Sequence, residues 1–186
     1  MDKKKIFAIS GSVRDDSTNV QILKMLAEIF QHEIELTLYD GLTQLPYFNP
    51  NTEDEASTPH EIVRFRNFID QADAVVICTP EYVFSLPGIL KNALEWTVST
   101  TVFSDKPCGI IVAAAAGEKT FESLDLIMTT IQTIIPNECK LLIKSPRSKM
   151  DKNGQVKDET TLHNLKKLME SLLMCIKNNP KVTIQM

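Results

Sequence analysis

Residues 10–19 form a short segment that is rich in hydrogen-bond donors. The segment reads Ser10-Gly11-Ser12-Val13-Arg14-Asp15-Asp16-Ser17-Thr18-Asn19, with four hydroxyls, one amide and one guanidinium. Such groups donate hydrogen bonds to phosphate oxygens. A helical pattern begins directly after the segment, and backbone N–H groups at a helix N-terminus also favour an anion. We therefore predict a phosphate-binding loop here.

Two familiar kinds of phosphate loop are excluded by the spacing of glycines. The segment contains neither G-x-G-x-x-G nor G-x-x-x-x-G-K-[ST], so it fits neither a dinucleotide fingerprint nor a nucleoside-triphosphate loop. A simpler alternative is that Ser17 or Thr18 only caps the helix while Gly11 makes a turn. Since a cap needs one hydroxyl and the segment offers four, we expect both capping and phosphate binding.

A second segment suits the face and edge of a flat heterocycle. It reads Thr79-Pro80-Glu81-Tyr82-Val83-Phe84-Ser85-Leu86-Pro87-Gly88. The two prolines stiffen it because each fixes its own φ, and the aromatic side chains offer flat surfaces, although aromatics in such loops are often core. We expect Glu81 to be a hydrogen-bonding brace rather than a general acid. Gly88 is expected to permit close helix packing, and Trp96 to lie in the core or an interface.

Composition and charge exclude several classes of protein. The chain has 186 residues, which is one domain by length (1–186), and a net charge of -4. We therefore expect no nucleic-acid partner and no membrane partner, because there is no basic field and no apolar run of about 20 residues. The scattered Cys78, Cys108, Cys139 and Cys175 predict neither a metal site nor disulfides. The start of the chain resembles no signal peptide, so the expected location is cytoplasmic.

The order of strand and helix patterns along the chain places both segments in one fold. Short continuous apolar runs predict strands at 6–9, 74–78, 108–114 and 139–143, and the alternation of Ile34, Leu36 and Leu38 predicts a strand at 34–39. A helical pattern follows each strand, in the second case only after the long irregular connection 40–57. Thr58-Pro59-His60-Glu61 predicts a helix start with Thr58 as N-cap, and another helix is expected from Pro87 to Val98. The fold class is thus α/β, a three-layer α/β/α sandwich around a mostly parallel sheet. Its ligand should lie at the carboxyl ends of the strands, where loops 10–19, 79–87 and 113–120 meet.

Two motifs resemble those of the NADPH-dependent FMN reductase family. They are Gly11-Ser12-x-Arg14-x-x-Ser17-x-Asn19 and Thr79-Pro80-Glu81-Tyr82-x-x-Ser85-x-Pro87-Gly88-x-Leu90-Lys91-Asn92-Ala93-Leu94-Glu95-Trp96. The resemblance spans about residues 4–178 and implies a flavodoxin-like sheet of order 2-1-3-4-5 that binds FMN without a covalent bond. It also implies NADPH or NADH as the electron donor. A homodimer or homotetramer with the flavin near the subunit interface is expected as well.

The resemblance assigns cofactor contacts position by position. Ser12, Arg14, Ser17 and Asn19 would hold the FMN phosphate, with Ser10 and Thr18 beside them. Pro80, Glu81, Tyr82 and Val83 would line the isoalloxazine with Ser85 nearby, and backbone amides around Ala114 and Gly117 would reach its edge. The chain departs from the family at Val83, where Asn is usual, and at Ala113–Ala116, where relatives have Ser and Gly. Alanine keeps the N–H but loses the hydroxyl and the easy access to positive φ.

No catalytic side chain and no metal is required by this interpretation, because the flavin supplies the difficult chemistry. Hydride would pass from the nicotinamide to the flavin and then, in a ping-pong scheme, to a small-molecule acceptor such as a quinone, an azo compound or free flavin. Acceptor selectivity would come from the 40–57 connection and a partner subunit. Arg64, Arg66 and Arg147 are possible readers of a 2′-phosphate, although they form no cluster. Two alternatives stay open: an electron-transfer flavoprotein and a non-catalytic module that has lost the flavin.

Overall fold

The computed structural model describes residues 2–52 and 57–179, and within them a five-stranded parallel sheet is flanked by helices. The strands are β1 (Lys4–Ser10), β2 (Ile34–Tyr39), β3 (Ala74–Thr79), β4 (Cys108–Ala114) and β5 (Lys140–Lys144). The α-helices are α1 (Thr18–Ile29), α2 (His60–Gln71), α3 (Gly88–Glu95), α4 (Glu118–Thr130) and α5 (Glu159–Asn178). The strand order is β2-β1-β3-β4-β5, which confirms the predicted order and fold class.

The central strands are apolar because both of their faces are covered. Every residue of β3 and β4 is buried, and Ile77 of β3 lies between Ile9 of β1 and Ile110 of β4. Helices α1 and α5 pack on one face of the sheet, and α2, α3 and α4 pack on the other. Continuous apolar strands are typical of a parallel sheet with helices on both sides.

Proline shifts two of the predicted helix starts by one residue. Helix α2 begins at His60, with Pro59 rather than Thr58 at the N-cap position, and α3 begins at Gly88 with Pro87 before it. Both prolines have an extended ψ, 142° for Pro59 and 132° for Pro87, so neither belongs to the helix that follows it. Helix α3 also ends at Glu95 instead of Val98.

The long connection after β2 is tied to α3 by three hydrogen bonds. The Pro46 carbonyl accepts from Trp96 Nε1 at 2.8 Å and from Asn92 Nδ2 at 2.9 Å, and the Phe48 N–H donates to Asn92 Oδ1 at 2.8 Å. Trp96 is buried, which confirms its core position. Residues 53–56 of this connection lie outside the described residues. The carboxyl-edge loop that follows β3 is therefore backed by a fixed helix.

Gly88 does not have the predicted role in packing. A Cβ added at Gly88 would meet no atom within 4 Å, so the expectation of close helix packing is wrong. Gly88 is the first residue of α3 and is exposed. A side chain there would point into open space.

The four cysteines are buried thiols and are not oxidised to disulfides. Burial raises the pKa of Cys139 to about 12 and raises the pKa of Cys78 and Cys108 as well. These thiols stay protonated near neutral pH, and a protonated thiol is a poor nucleophile. No helix among the described residues is both long and apolar enough to cross a bilayer.

Candidate functional site

A cavity of about 480 Å³ opens at the carboxyl edge of the sheet. Its wall is built by loops that follow four strands, β1, β3, β4 and β5. The lining residues are Ser12, Arg14, Asp16, Ser17, Thr18 and Asn19, then Pro80, Glu81 and Tyr82, then Ala113, Ala114 and Ala115, and finally Ser145, Pro146, Arg147 and Ser148. The cavity thus joins the three predicted loops, as expected for this class of sheet.

The loop after β1 is bent by a set of short local hydrogen bonds. Ser10 Oγ accepts from the Ser12 N–H at 3.2 Å and donates to the Ser12 carbonyl at 3.1 Å. The Gly11 N–H donates to the Cys78 carbonyl at 2.9 Å, which ties the bend to β3. Ser10 therefore lies behind the cavity wall and shapes the bend, whereas Ser12 lines the cavity.

Ser17 does not cap α1 as predicted. It occupies the N-cap position, but its side chain makes no capping hydrogen bond. The Ser17 hydroxyl oxygen is buried and has no hydrogen-bond partner among the described residues. An unsatisfied buried polar group costs about 1–3 kcal/mol, so the hydroxyl suits a ligand oxygen at the N-terminus of α1.

Two further donors of this loop are unengaged within the described residues. Asn19 uses its carbonyl oxygen to accept from Cys78 Sγ at 3.3 Å, and no hydrogen bond from this part of the chain engages its amide nitrogen. The Arg14 side chain is exposed and has no described carboxylate within ion-pair distance. Together with Ser17, these groups provide a hydroxyl, an amide and a guanidinium around the start of one helix. That donor set fits a phosphate monoester.

Glu81 joins two of the loops that build the wall. One oxygen of its carboxylate accepts from the Gly117 N–H at 3.3 Å and the other from the Thr120 N–H at 3.1 Å. The carboxylate therefore lies at the N-terminus of α4, where the helix dipole favours a negative charge. This is the bracing role expected for Glu81. Gly117 does not line the cavity, and its φ of 97° makes it the left-handed residue that starts α4.

A tight turn follows Tyr82 and lies outside the cavity wall. Tyr82 and Ser85 exchange two backbone hydrogen bonds, of 3.0 and 3.1 Å, so the turn contains only Val83 and Phe84. Both central residues have positive φ, 53° and 56°, and their side chains are 95% and 76% exposed. Only Tyr82 of these four residues lines the cavity, so Val83 and Ser85 have no side-chain place in its wall.

The double variant Val83→Asn/Phe84→Gly is expected to stabilise the cofactor-free protein by about 1–2 kcal/mol. A left-handed residue costs roughly 1–2 kcal/mol unless it is Gly, Asn or Asp, and two-residue turns of this kind prefer Asn followed by Gly. For a chain of this length the gain should raise Tm by roughly 2–8 °C in thermal denaturation. The control variant Val83→Ala/Phe84→Ala removes the same apolar surface without relieving φ and should gain less than about 0.5 kcal/mol. A first variant no more stable than this control would contradict the assigned strain.

The wall after β4 departs from the family pattern as the sequence indicated. Ala113, Ala114 and Ala115 line the cavity without any side-chain hydrogen-bonding group. Glu118, at the start of α4, is engaged by Lys144, and this hydrogen bond lowers the pKa of the Glu118 carboxyl. Recognition on this wall therefore depends on backbone groups.

The sequence predicts three loops at this edge, and the structure adds a fourth, the loop after β5. Residues 145–148 line the cavity because β5 is parallel to β4 and ends at the same edge, where the Ser145 N–H donates to the Ala114 carbonyl at 2.8 Å. Arg147 was named only as a possible phosphate reader. The parallel fifth strand was the available signal, since its carboxyl end must reach the same edge.

Comparisons with known proteins agree with this geometry. The family model described as NADPH-dependent FMN reductase matches residues 4–145. A 2-hydroxy-1,4-benzoquinone reductase from a Burkholderia species is 32% identical over 173 residues, which cover 89% of this chain and 92% of that protein. A quinone reductase from Escherichia coli K12 is 27% identical over 170 residues, covering 88% of this chain and 90% of that protein.

Solved structures show the same fold. FerB, a flavoenzyme NAD(P)H:(acceptor) oxidoreductase from Paracoccus denitrificans, superposes with a TM-score of 0.83 at 25% identity, covering 95% of this chain and 98% of that one. A flavodoxin from the domain Archaea superposes with a TM-score of 0.63 at 8% identity, covering 93% and 99%, which shows likeness of fold alone. The family match covers most of the chain and includes both motifs around the cavity, so the chain belongs to the NADPH-dependent FMN reductase family.

Proposed function

We propose that the carboxyl-edge cavity binds FMN and that the protein uses it to reduce a quinone-type acceptor at the expense of NADPH or NADH. The observation that supports this most directly is the set of unengaged donors at the start of α1, the Ser17 hydroxyl above all. Ser12, Arg14, Ser17, Thr18 and Asn19 would bind the phosphate. Pro80, Glu81, Tyr82 and the Ala113–Ala115 wall would take the ring.

Membership in the family makes the chain an oxidoreductase that depends on FMN and a nicotinamide dinucleotide. When bound, FMN supplies the capacity to accept a hydride and pass electrons onward. The protein then has to bind FMN, orient it and shield it from water. Glu81 holds the loop after β3 against α4 through two backbone amides, which keeps Tyr82 at the cavity wall. With both oxygens engaged in this way, Glu81 acts as a positioning residue and moves no proton.

Quinones are the proposed acceptors because several relatives are named quinone reductases. Azo compounds and free flavin are flat acceptors of the same kind and stay within the proposal. The cavity is compatible with them because its walls offer flat and apolar surfaces, from Tyr82 to the alanines after β4. The Pro46 carbonyl accepts a hydrogen bond from Trp96 Nε1, and the neighbouring Tyr47 is 92% exposed. Tyr47 thus offers a flat surface on the 40–57 connection, to which we assign acceptor selectivity.

An absorption spectrum before and after anaerobic NADPH tests the proposed function. Protein incubated with FMN and freed of excess should be yellow, should lose its flavin absorbance on addition of NADPH or NADH, and should regain it on addition of 1,4-benzoquinone. A colourless protein that FMN cannot restore would instead indicate a non-catalytic module. A yellow protein that neither dinucleotide bleaches would indicate an electron-transfer flavoprotein.

We also propose a homodimer or homotetramer located in the cytoplasm. Oligomerisation is supported by large apolar side chains that are exposed on other parts of the described chain, among them Val98, Leu126 and Met174. A reducing compartment is supported by four free cysteines, since such thiols are typical of cytosolic proteins. Light scattering of the purified protein should give two or four times the 20.9 kDa chain mass. A monomer at micromolar concentration would contradict the oligomer.

A further inference from the structure

Arg147 is a cation of the cavity wall without an acidic partner among the described residues. The nearby lysines are both engaged: Lys144 pairs with Glu118, and Lys149 Nζ lies 3.8 Å from Asp158 Oδ1. Arg147, between them in sequence, lines the cavity, is exposed and has no carboxylate of the described chain within ion-pair distance. Its charge is therefore available to a ligand.

The two arginines of the cavity lie on loops at opposite ends of it. Arg14 follows β1 and Arg147 follows β5, and the strand order places β3 and β4 between them. With neighbouring strands about 4.8 Å apart, the strand ends from which the two loops start are separated by roughly 14 Å. The Arg14 end already has Ser17 and Asn19 as unengaged donors for the single phosphate of FMN. Arg147 is thus left for a different anion.

We propose that Arg147 binds a phosphate group of the nicotinamide dinucleotide. The inference rests on the proposed function, which supplies this substrate as a second phosphate-bearing ligand. A guanidinium can bind a phosphate through two parallel hydrogen bonds. The exposed position of Arg147 suits a ligand that enters and leaves at each turnover. Ser148 adds no donor, because its hydroxyl donates to the Ser145 carbonyl at 2.8 Å.

The charges of the cavity wall favour the β5 end, where Arg147 lies, as the place where a second anion binds. Besides the arginines, the charged residues of the wall are Asp16 and Glu81. Asp16 lies on the β1 loop with Arg14, and the Glu81 carboxylate is engaged by the amides of α4. The β5 loop contributes only a positive charge to the wall. Arg147 also lies beyond residues 4–145, which the family model matches, so the family pattern does not assign it.

Calorimetric titration of the FMN-loaded protein with NADP⁺, NAD⁺ and adenosine 2′,5′-bisphosphate tests the proposal without turnover. Arg147→Ala should weaken NADP⁺ binding roughly tenfold, the lower end of the range for hydrogen bonds to charged groups. Arg147→Lys keeps the charge but loses the bidentate geometry of the guanidinium, so it should recover only part of the lost NADP⁺ affinity. Lys166→Ala removes an equal charge from an exposed position of α5 outside the cavity wall and serves as the control, with affinities within about twofold of wild type.

The pattern across ligands identifies which phosphate is bound. A loss for NADP⁺ and the bisphosphate, with NAD⁺ unchanged, assigns the 2′-phosphate and a preference for NADPH. An equal loss for NADP⁺ and NAD⁺ assigns the pyrophosphate. Unchanged binding of both dinucleotides, a wild-type protein that binds neither, or a matching loss of FMN affinity in Arg147→Ala would overturn the proposal. Failure of the proposed function is recognised separately, as wild-type protein that binds NADP⁺ or NAD⁺ but is bleached by neither NADPH nor NADH.

Discussion

Replacing Arg14 with alanine is expected to weaken FMN binding about 10- to 150-fold. This factor corresponds to about 1.5–3 kcal/mol, the contribution of a hydrogen bond to a charged group. Arg14 lines the cavity next to the N-terminus of α1 and has no carboxylate partner among the described residues. Loss of its guanidinium should therefore remove a ligand contact without breaking a contact of the protein. Titration of the cofactor-free variant with FMN, followed by flavin fluorescence, measures the change.

A matched control separates this local contact from the loss of one positive charge. Lys24 is an exposed residue of α1 that does not line the cavity, so Lys24→Ala changes net charge equally and should alter FMN affinity less than about twofold. An Arg14→Ala variant with the affinity of the Lys24→Ala control would remove Arg14 from the site.

Ser17→Ala distinguishes a ligand contact from a structural one by its opposite effects. In the cofactor-free protein the buried Ser17 hydroxyl has no described partner, so its removal should leave stability unchanged or raise it. In the complex the same change should weaken FMN binding about 10- to 150-fold, as for a hydrogen bond to a charged phosphate group. If the Ser17 hydroxyl were a structural cap, Ser17→Ala would lower the stability of the protein both with and without FMN.

The sequence predicted the architecture well because the buried strands are unambiguous. The predicted strands coincide with the observed ones, and β3 and β4 are the clearest because a strand covered on both faces has no polar positions that could obscure the pattern. The carboxyl-edge rule then located three of the four loops of the cavity correctly. The residues of the β5 loop match no motif, so the sequence indicates only Arg147 of this loop, as a possible reader of a 2′-phosphate.

The predictions that were wrong concern residues whose role depends on contacts in the folded chain, because the same local sequence is compatible with more than one role. Nothing in the sequence shows that Ser17 occupies the N-cap position without using its hydroxyl, because capping and ligand binding need the same residue type. Val83 was recognised as unusual, but its positive φ follows from the hydrogen-bonded turn between Tyr82 and Ser85. Gly88 was expected to be confined and is open, whereas the turn glycine, Gly11, is tightly confined.

Replacing Gly11 with alanine is therefore expected to destabilise the protein by about 3 kcal/mol and to lower Tm by roughly 6–12 °C. The new Cβ would lie 2.1 Å from Thr79 Oγ1, 2.7 Å from Thr79 Cβ and 3.1 Å from Leu90 Cδ2. Thr79 is fully buried at the end of β3, so it has little room to move away. Displacing the bend should also reduce FMN affinity at least tenfold, because the bend leads into the phosphate loop.

The Gly88→Ala variant provides the matched control, since its Cβ meets no atom within 4 Å. At the first turn of α3 it should be neutral or stabilising by up to about 1 kcal/mol. The double variant Gly11→Ala/Thr79→Ala removes the oxygen of the closest contact and should be more stable than the sum of the single changes, with a coupling of about 0.5–3 kcal/mol. Strictly additive losses would mean that the Thr79 hydroxyl does not collide with the new Cβ. The bend would then owe its shape to the hydrogen bonds of Ser10 and Gly11 alone, and the Thr79 hydroxyl would have no part in confining it.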